Sequence, residues 1–445
     1  MLRCNLQACI KITLLSIVVV ACNTIKKSTI NHRIEKKSLE YDLITEDGAW
    51  CWFSDPRALY YKGNLEKIYW GYINSQGDVM VSSRNQKNQK IENFILHDTL
   101  EIDDHNVPSL LMLPSGHLLA FYNEHNGNVY MRKSINPEDI TRWQPEQIIA
   151  KKERDFNYTY TNPVRLESEN GRIYIFGRKV GPTRSFDNWK QYYKFSDDNG
   201  ETWSDEKIIF DNEGRINPPY MKVFSKGKSR IDFLFTDGHP KIGDDVSVYH
   251  MYYENGKFYQ TNGSVLSNSI QLPIPMSRVN KVYDARKSKI RGWIWDIGLN
   301  NQNHPVITYA RFPRETDHRY HYAYWDGREW IDQEIARAGG FMTALNQGDE
   351  VREGHYSGGI VLNTQNTNQV ILSRQINGHF ELEEKLHMQY GNWKTTTLTS
   401  NSEKDNTRPY IIPGLSNYPI ILWMSGYYNH YTKYNTGIRL FEYKK

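Results

Sequence analysis

From about Trp52 onward the chain alternates apolar and polar positions over short runs, each closed by a turn signal. IYWGYINSQGDVMVSSR (Ile68–Arg84) is apolar-rich on both sides of a polar, glycine-containing break, the pattern of two paired strands joined by a tight turn. The same grammar recurs in SLLMLPSGHLLAFYNEHNGNVYMRKS (Ser109–Ser134) and in VRLESENGRIYIFGR with YYKFSDDNGETW behind it. It continues in VFSKGKSRIDFLFTDG with VYHMYYENGKFY, and in WIWDIGLNNQNHPVITYAR with YHYAYWDGREW. GGIVLNTQNTNQVILSR with LHMQYGNWK and then YIIPGLSNYPIILWMSGYY complete the series. About seven units of roughly 50–60 residues result, and repetition of four-strand units at a fixed period favours a propeller over a sandwich. No long helical period interrupts them. The expected fold is all-β, a single seven-bladed β-propeller.

One unit carries a sharper signature. SDDNGETW (Ser196–Trp203) fits the Asp-box pattern Ser-x-Asp-x-Gly-x-Thr-Trp, a tight turn between two outer strands of a blade with the Trp packed between strands. NGKFY, WDGREW and YGNWK are degenerate relatives at corresponding places in later units. This motif predicts architecture and is silent on chemistry.

Composition narrows the partners. With 31 Tyr, 16 Phe and 12 Trp among 445 residues, the chain is aromatic-rich although only 39% hydrophobic. Such a chain suits many short strands and offers rings and hydroxyls to carbohydrate. The formal charge of +4 comes from 55 basic and 51 acidic residues mixed along the chain, so no basic tract marks a nucleic-acid surface. A mild positive balance is compatible with an acidic polysaccharide.

The N-terminus has the order of an export signal. Arg3 and Lys11 precede the apolar run Ile12–Val20, which is too short to span a bilayer and ends in Ala21-Cys22. VVAC resembles a bacterial lipobox, with Cys22 lipidated as the first mature residue; an ordinary secretory signal is the other reading. Residues 1–21 are then a signal peptide, 22–44 a polar, Lys-rich tether and 45–445 the propeller. The expected location is the bacterial cell envelope, lipid-anchored to a membrane. Cys4 and Cys9 leave with the signal, so Cys51 is the one free thiol and no internal disulfide forms.

Candidate chemistry gathers at matching places in three units. His105 lies just before the first strand of the second unit and His125 just after the next, with a turn at Pro114-Ser115-Gly116 between them, so a hairpin brings both to one end of a blade. Tyr158 and Tyr160 precede the third unit's strand as His105 precedes its own, and Arg178 ends the partner strand. Tyr220 precedes the fourth unit's strand, with Asp237 and His239 after its partner. His, Tyr and Arg without an evident carboxylate pair do not suit glycoside hydrolysis. They suit β-elimination at a uronic acid: Arg neutralises the carboxylate, and His or Tyr moves the C5 proton and protonates O4.

Together, DDHNVPSLLMLPSGHLLAFYNEHN, YTYTNPVRL with IYIFGR, INPPYMKV and FLFTDGHP resemble the propellers with bacterial-neuraminidase-type repeats. That group includes the ulvan lyases of polysaccharide lyase families 24 and 25, with family 25 the nearer pattern. The resemblance runs from about Trp52 to the C-terminus. It implies that His105, His125, Tyr160 (or Tyr158), Arg178 and Tyr220 are the active-site residues, with Arg178 neutralising the uronate. It leaves open which of His105, His125 and the Tyr is base and which acid. Asn106, Tyr158, Asn162 and His239 are candidates for binding the sulfated, uronate-containing substrate. Ulvan lyases can hold structural calcium or zinc, some through Cys and His; with only Cys51 left, a Cys-containing zinc site is in doubt, and His239 and His250 are the weaker metal candidates. Two other readings stay open. One is a sialidase-like Asp-box hydrolase drawing on Arg57, Arg178, Arg311 and Arg374; the other is a non-catalytic glycan-binding propeller.

Overall fold

A computed structural model of the chain describes residues 41–181, 189–215, 217–241, 243, 245–340, 356–388, 391–414 and 419–443. The signal segment, Cys22 and all but the end of the tether lie outside these residues. Seven antiparallel sheets follow one another around an axis, as the repeat pattern predicts. Their first strands are Ala58–Lys62, Ser109–Met112, Asn157–Leu166, Met221–Phe224, Gly292–Leu299, Ile360–Leu362 and Asp405–Ile411. First strands of most neighbouring blades touch, so they form the inner ring. We number the blades 1–7 in that order.

The seventh blade closes the ring. Strands Asp405–Ile411, Ile420–His430 and Lys433–Glu442 from the C-terminus take Asp42–Thr45 as their outermost partner, with Asp42 opposite Leu440. The propeller therefore begins at Asp42, not at residue 45: DLIT supplies the hydrogen bonds of an otherwise open sheet edge. Blade 4 is the largest, with an added strand Val265–Asn268 and a short strand Lys281–Tyr283 on its third strand.

Burial explains why the strands read as they do. Leu118–Asn123, second in its blade, is buried at every position because neighbouring blades cover both faces. Trp330–Gly339, fourth in its blade, is partly or fully exposed at nearly every position. The Asp-box turn joins the third and fourth strands of blade 3 as expected. The Asp198 carboxylate accepts from Thr202 N (2.9 Å) and from the Thr202 hydroxyl, and Trp203 meets Phe121 of blade 2 edge-on at 5.8 Å. Gly200 holds a left-handed φ of +93°, and a Cβ there would lie 3.0 Å from Met131 Sδ.

The axis is filled by a segment with no strand of its own. Ala49, Trp50, Cys51, Trp52, Phe53 and Ser54 are all buried at the centre. Trp52 stacks on Trp295 at 4.3 Å and donates its indole N–H to Ile294 O (3.2 Å), while Trp50 donates to Arg408 O (3.1 Å). Below them the buried Lys222 ammonium bonds to Trp52 O and Asp55. Sequence pattern alone reads this stretch as the start of the strands; it is a plug.

Candidate active site

At the end of the ring where the first strands begin, three blades deliver the predicted residues to one place. Asp103 caps a single 3-10 turn, Asp104–Asn106, by accepting from His105 N (2.9 Å), and the chain then enters the first strand of blade 2. That strand pairs with Leu118–Asn123, Ser109 opposite Phe121, through a turn whose Gly116 has φ +81°. The hairpin returns the chain to His125. The loop there is pinned by His125 N donating to Glu101 Oε2 (2.9 Å), Asn126 N donating to Thr159 Oγ1 (3.1 Å), and mutual Gly127–Tyr158 backbone bonds.

The two imidazoles stack, centroids 4.1 Å apart and planes 13° from parallel. One carboxylate holds both: Asp103 Oδ1 is 2.6 Å from His105 Nδ1 and Oδ2 is 2.8 Å from His125 Nδ1. Burial opposes the charge on Asp103, but the two histidines outweigh it and keep its carboxyl well below the usual range. Burial, then the adjacent His105, push the His125 imidazole down to about 4. Tyr431 of blade 7 stands edge-on to both rings, 4.9 Å from His105 and 5.4 Å from His125.

Tyr160 sits in a bulge of the first strand of blade 3, where the register slips between Thr159 and Asn162 and φ is +68°. A left-handed backbone at a residue with a Cβ costs roughly 1–2 kcal/mol. Here it turns the ring inward, 5.6 Å from His105 and 5.3 Å from Phe53 of the plug. Burial raises its phenol well above the ordinary value, with Arg178 pulling the other way and losing. Arg178 is 1% exposed, its guanidinium carbon 4.2 Å from the Trp189 ring, 4.8 Å from Tyr160 and 5.1 Å from Tyr220. Tyr220 in turn lies 5.3 Å from His239 and 4.8 Å from Trp293. His105, His125, Tyr160, Arg178, Tyr220 and His239 are thus contiguous.

Other candidates are placed elsewhere or already engaged. Tyr158 would share a face with Tyr160 in a regular strand. The bulge separates them, and Tyr158 instead packs on Tyr192 and donates to Glu206 Oε2 (2.9 Å) in the core between blades 2 and 3. Asn162 clamps the plug, donating to Phe53 O (2.9 Å) and accepting from Asp55 N (3.2 Å). Asn106 is buried and donates to Glu101, its carbonyl oxygen left without a partner among the described residues. His250 is buried deep in blade 4 with both ring nitrogens engaged, by Thr261 (2.9 Å) and Asp232 (3.0 Å), so it has no free nitrogen for a metal and does not join His239. Cys51 could meet Asp104 and His105 around an ion, as could Asp103, His105 and His125. In both groups the histidine Nδ1 atoms already serve Asp103. Of the four arginines a sialidase-like site would draw on, Arg57, Arg311 and Arg374 pair locally with Asp55, Asp332 and Glu383. They do not converge on Arg178.

Sequence reasoning missed Asp103, Asp104, Arg408 and Tyr431. Arg408, in a matching bulge of blade 7 at φ +48°, bonds to Asp104, and Tyr428 donates to Asp104 Oδ2 (2.6 Å). The one available signal is the doubled acid before His105. A separate cavity of about 490 Å3 opens at the opposite end of the ring, lined by the far ends of the first strands, such as Met112, Phe224 and Leu362, and by Asp296. Of the predicted site residues only Asn162 lines it, so this cavity and the His–Tyr–Arg cluster do not coincide.

Comparison with known proteins agrees with the fold. An ulvan lyase of Alteromonas sp. (strain LOR) is 24% identical over 374 residues, 71% of this chain and 72% of the relative. A sialidase of Paraclostridium sordellii is 23% identical over 198 residues, 40% of this chain and 49% of the relative. A solved ulvan lyase of polysaccharide lyase family 25 superposes with a TM-score of 0.67 at 14% identity, covering 90% of this chain and 95% of that one. The same fold has been solved bound to glucuronic acid linked 1-4 to rhamnose 3-sulfate. The model of the BNR repeat-containing family matches residues 67–338, and the chain belongs to that family.

Proposed function

We propose that this chain is a polysaccharide lyase that cleaves an ulvan-like sulfated polysaccharide by β-elimination at a uronic acid. One observation carries the reading. Arg178 is a buried cation whose Nε and Nη1 have no hydrogen-bond partner among the described residues, and no carboxylate there pairs with it. Aromatic rings hold it in place without neutralising it. A buried, uncompensated charge is costly, and a substrate carboxylate is the natural partner.

The surrounding groups then divide the proton work. With the uronate charge matched by Arg178, the C5 proton becomes acidic enough to leave. His125, neutral at ordinary pH, and His105 beside it offer ring nitrogens as the base. Tyr160 stays a neutral phenol, which suits it to donate to O4. The C5–H pair becomes the C4–C5 double bond, the C4–O4 bond breaks, O4 takes the phenol proton, and the imidazolium returns its proton through solvent. Likeness to the Alteromonas ulvan lyase supports the substrate class. The partial likeness to a sialidase favours hydrolysis, but the arginines that chemistry would use are dispersed. Product masses from ulvan oligomers decide: elimination fragments sum to the parent, and hydrolysis fragments sum to the parent plus water.

The lipobox ending at Cys22 supports attachment to the cell envelope. Cys22→Ala should move the protein from the membrane fraction to the soluble fraction; unchanged partitioning contradicts the anchor.

A further inference from the structure

Asp103 does more than cap a turn. It is 1% exposed, and each carboxylate oxygen meets a different imidazole. An ionised carboxylate can only accept hydrogen bonds, so both Nδ1 atoms must carry protons. A neutral histidine with Nδ1–H has a bare Nε2. Neither His105 Nε2 nor His125 Nε2 has a hydrogen-bond partner among the described residues.

We infer that Asp103 is a positioning residue that fixes both histidines as Nδ1–H tautomers, leaving two bare Nε2 atoms to meet a substrate, and that the stacked pair takes up one proton at a time. The inference deepens the lyase reading and rests on it for the source of that proton. A carboxylate behind an imidazole orients the ring and raises its basicity. The second imidazolium is opposed by the first, one ring away.

Other charges near the pair make weaker contacts. Glu101 reaches only the backbone N–H of His125. Asp104 Oδ1 lies 3.4 Å from His105 Nδ1 and has no hydrogen-bond partner among the described residues, while its Oδ2 takes Arg408 and Tyr428. Arg178 from blade 3 disfavours a positive charge on His125, and Arg408 from blade 7 is paired with Asp104. Tyr160 and Tyr431 pack on the rings as aromatic neighbours.

The test is nuclear magnetic resonance of ring nitrogens in the mature protein labelled with 15N-histidine. At neutral pH both residues should report a protonated Nδ1 and a bare Nε2, and acid titration should protonate one ring well before the other. Nε2–H on either ring, or joint protonation in one step, overturns the inference. Asp103→Asn gives the second arm. An amide accepts from one Nδ1–H but donates to the other Nδ1, so one histidine must switch to Nε2–H. Turnover on uronate polymer should then fall roughly 100-fold with KM little changed. Unchanged tautomers and unchanged turnover would also overturn it. If no uronate polymer is cleaved at all, the lyase reading fails while the wild-type spectrum still decides the tautomers. The wild-type spectrum decides equally if the variant does not fold.

Discussion

The imidazoles of His105 and His125 lie parallel, 4.1 Å apart, on the two oxygens of one carboxylate. This arrangement has a consequence for stability. His125 in the folded protein is held down to about 4, below its value of about 6.5 in an unfolded chain. As pH falls the unfolded state therefore binds the proton first. Stability is full above about 6.5 and drains away as pH drops toward 4, by something on the order of 3 kcal/mol. Asp103 acts in the same direction lower down, its contribution disappearing as pH falls below the ordinary carboxylate range. Urea unfolding of wild type and His125→Asn at pH 7.5, 5.5 and 4.5 checks this: wild type should lose more stability across the series, and parallel curves contradict it.

Replacing Arg178 separates charge from packing. Arg178→Met keeps an unbranched side chain inside the cage of Tyr160, Trp189 and Tyr220. Because the lost cation had no ion-pair partner, stability should stay within about 2 kcal/mol of wild type. Turnover should fall at least about 100-fold. Near-normal turnover would remove Arg178 from the mechanism.

Tyr160→Phe deletes only the hydroxyl. The ring packing on Phe53 and His105 remains, so the melting temperature should change little. Turnover should fall by roughly 100- to 10,000-fold if the phenol delivers the proton to O4. Tyr158→Phe, by contrast, touches only the Glu206 bond and should leave turnover nearly intact.

How much of this was legible depends on whether a residue's partners are near in sequence. The hairpin that brings His105 to His125 is written in Pro114-Ser115-Gly116, and Arg178 follows from the same pattern one unit on. Tyr160 and Tyr158 could not be separated by a two-residue period, because a bulge with a left-handed residue carries no clear sequence mark. Asp103 sits in plain view, yet an acid before a strand reads as a turn cap. Its second role exists only because His125 returns beside it. Arg408 and Tyr431 come from blade 7, and only ring closure brings them to residues more than 300 positions earlier.

The plug is the largest element the repeat pattern hid, since its apolar run looks like one more strand. Trp52→Ala should destabilise the propeller by about 3–5 kcal/mol, because Trp52 is 2% exposed and stacked on Trp295. Thermal or chemical denaturation measures it, and a loss below about 1 kcal/mol would mean the axis repacks without the plug.

In the proposed reaction Arg178, the paired histidines and Tyr160 carry out β-elimination on a uronate. Its most direct test incubates the mature protein with ulvan and, separately, with other uronate polymers, following ultraviolet absorbance from the C4–C5 double bond. Absorbance should rise with ulvan, and the rise should be lost in Arg178→Met. No rise with any uronate polymer, while the protein still binds one of them, would contradict it.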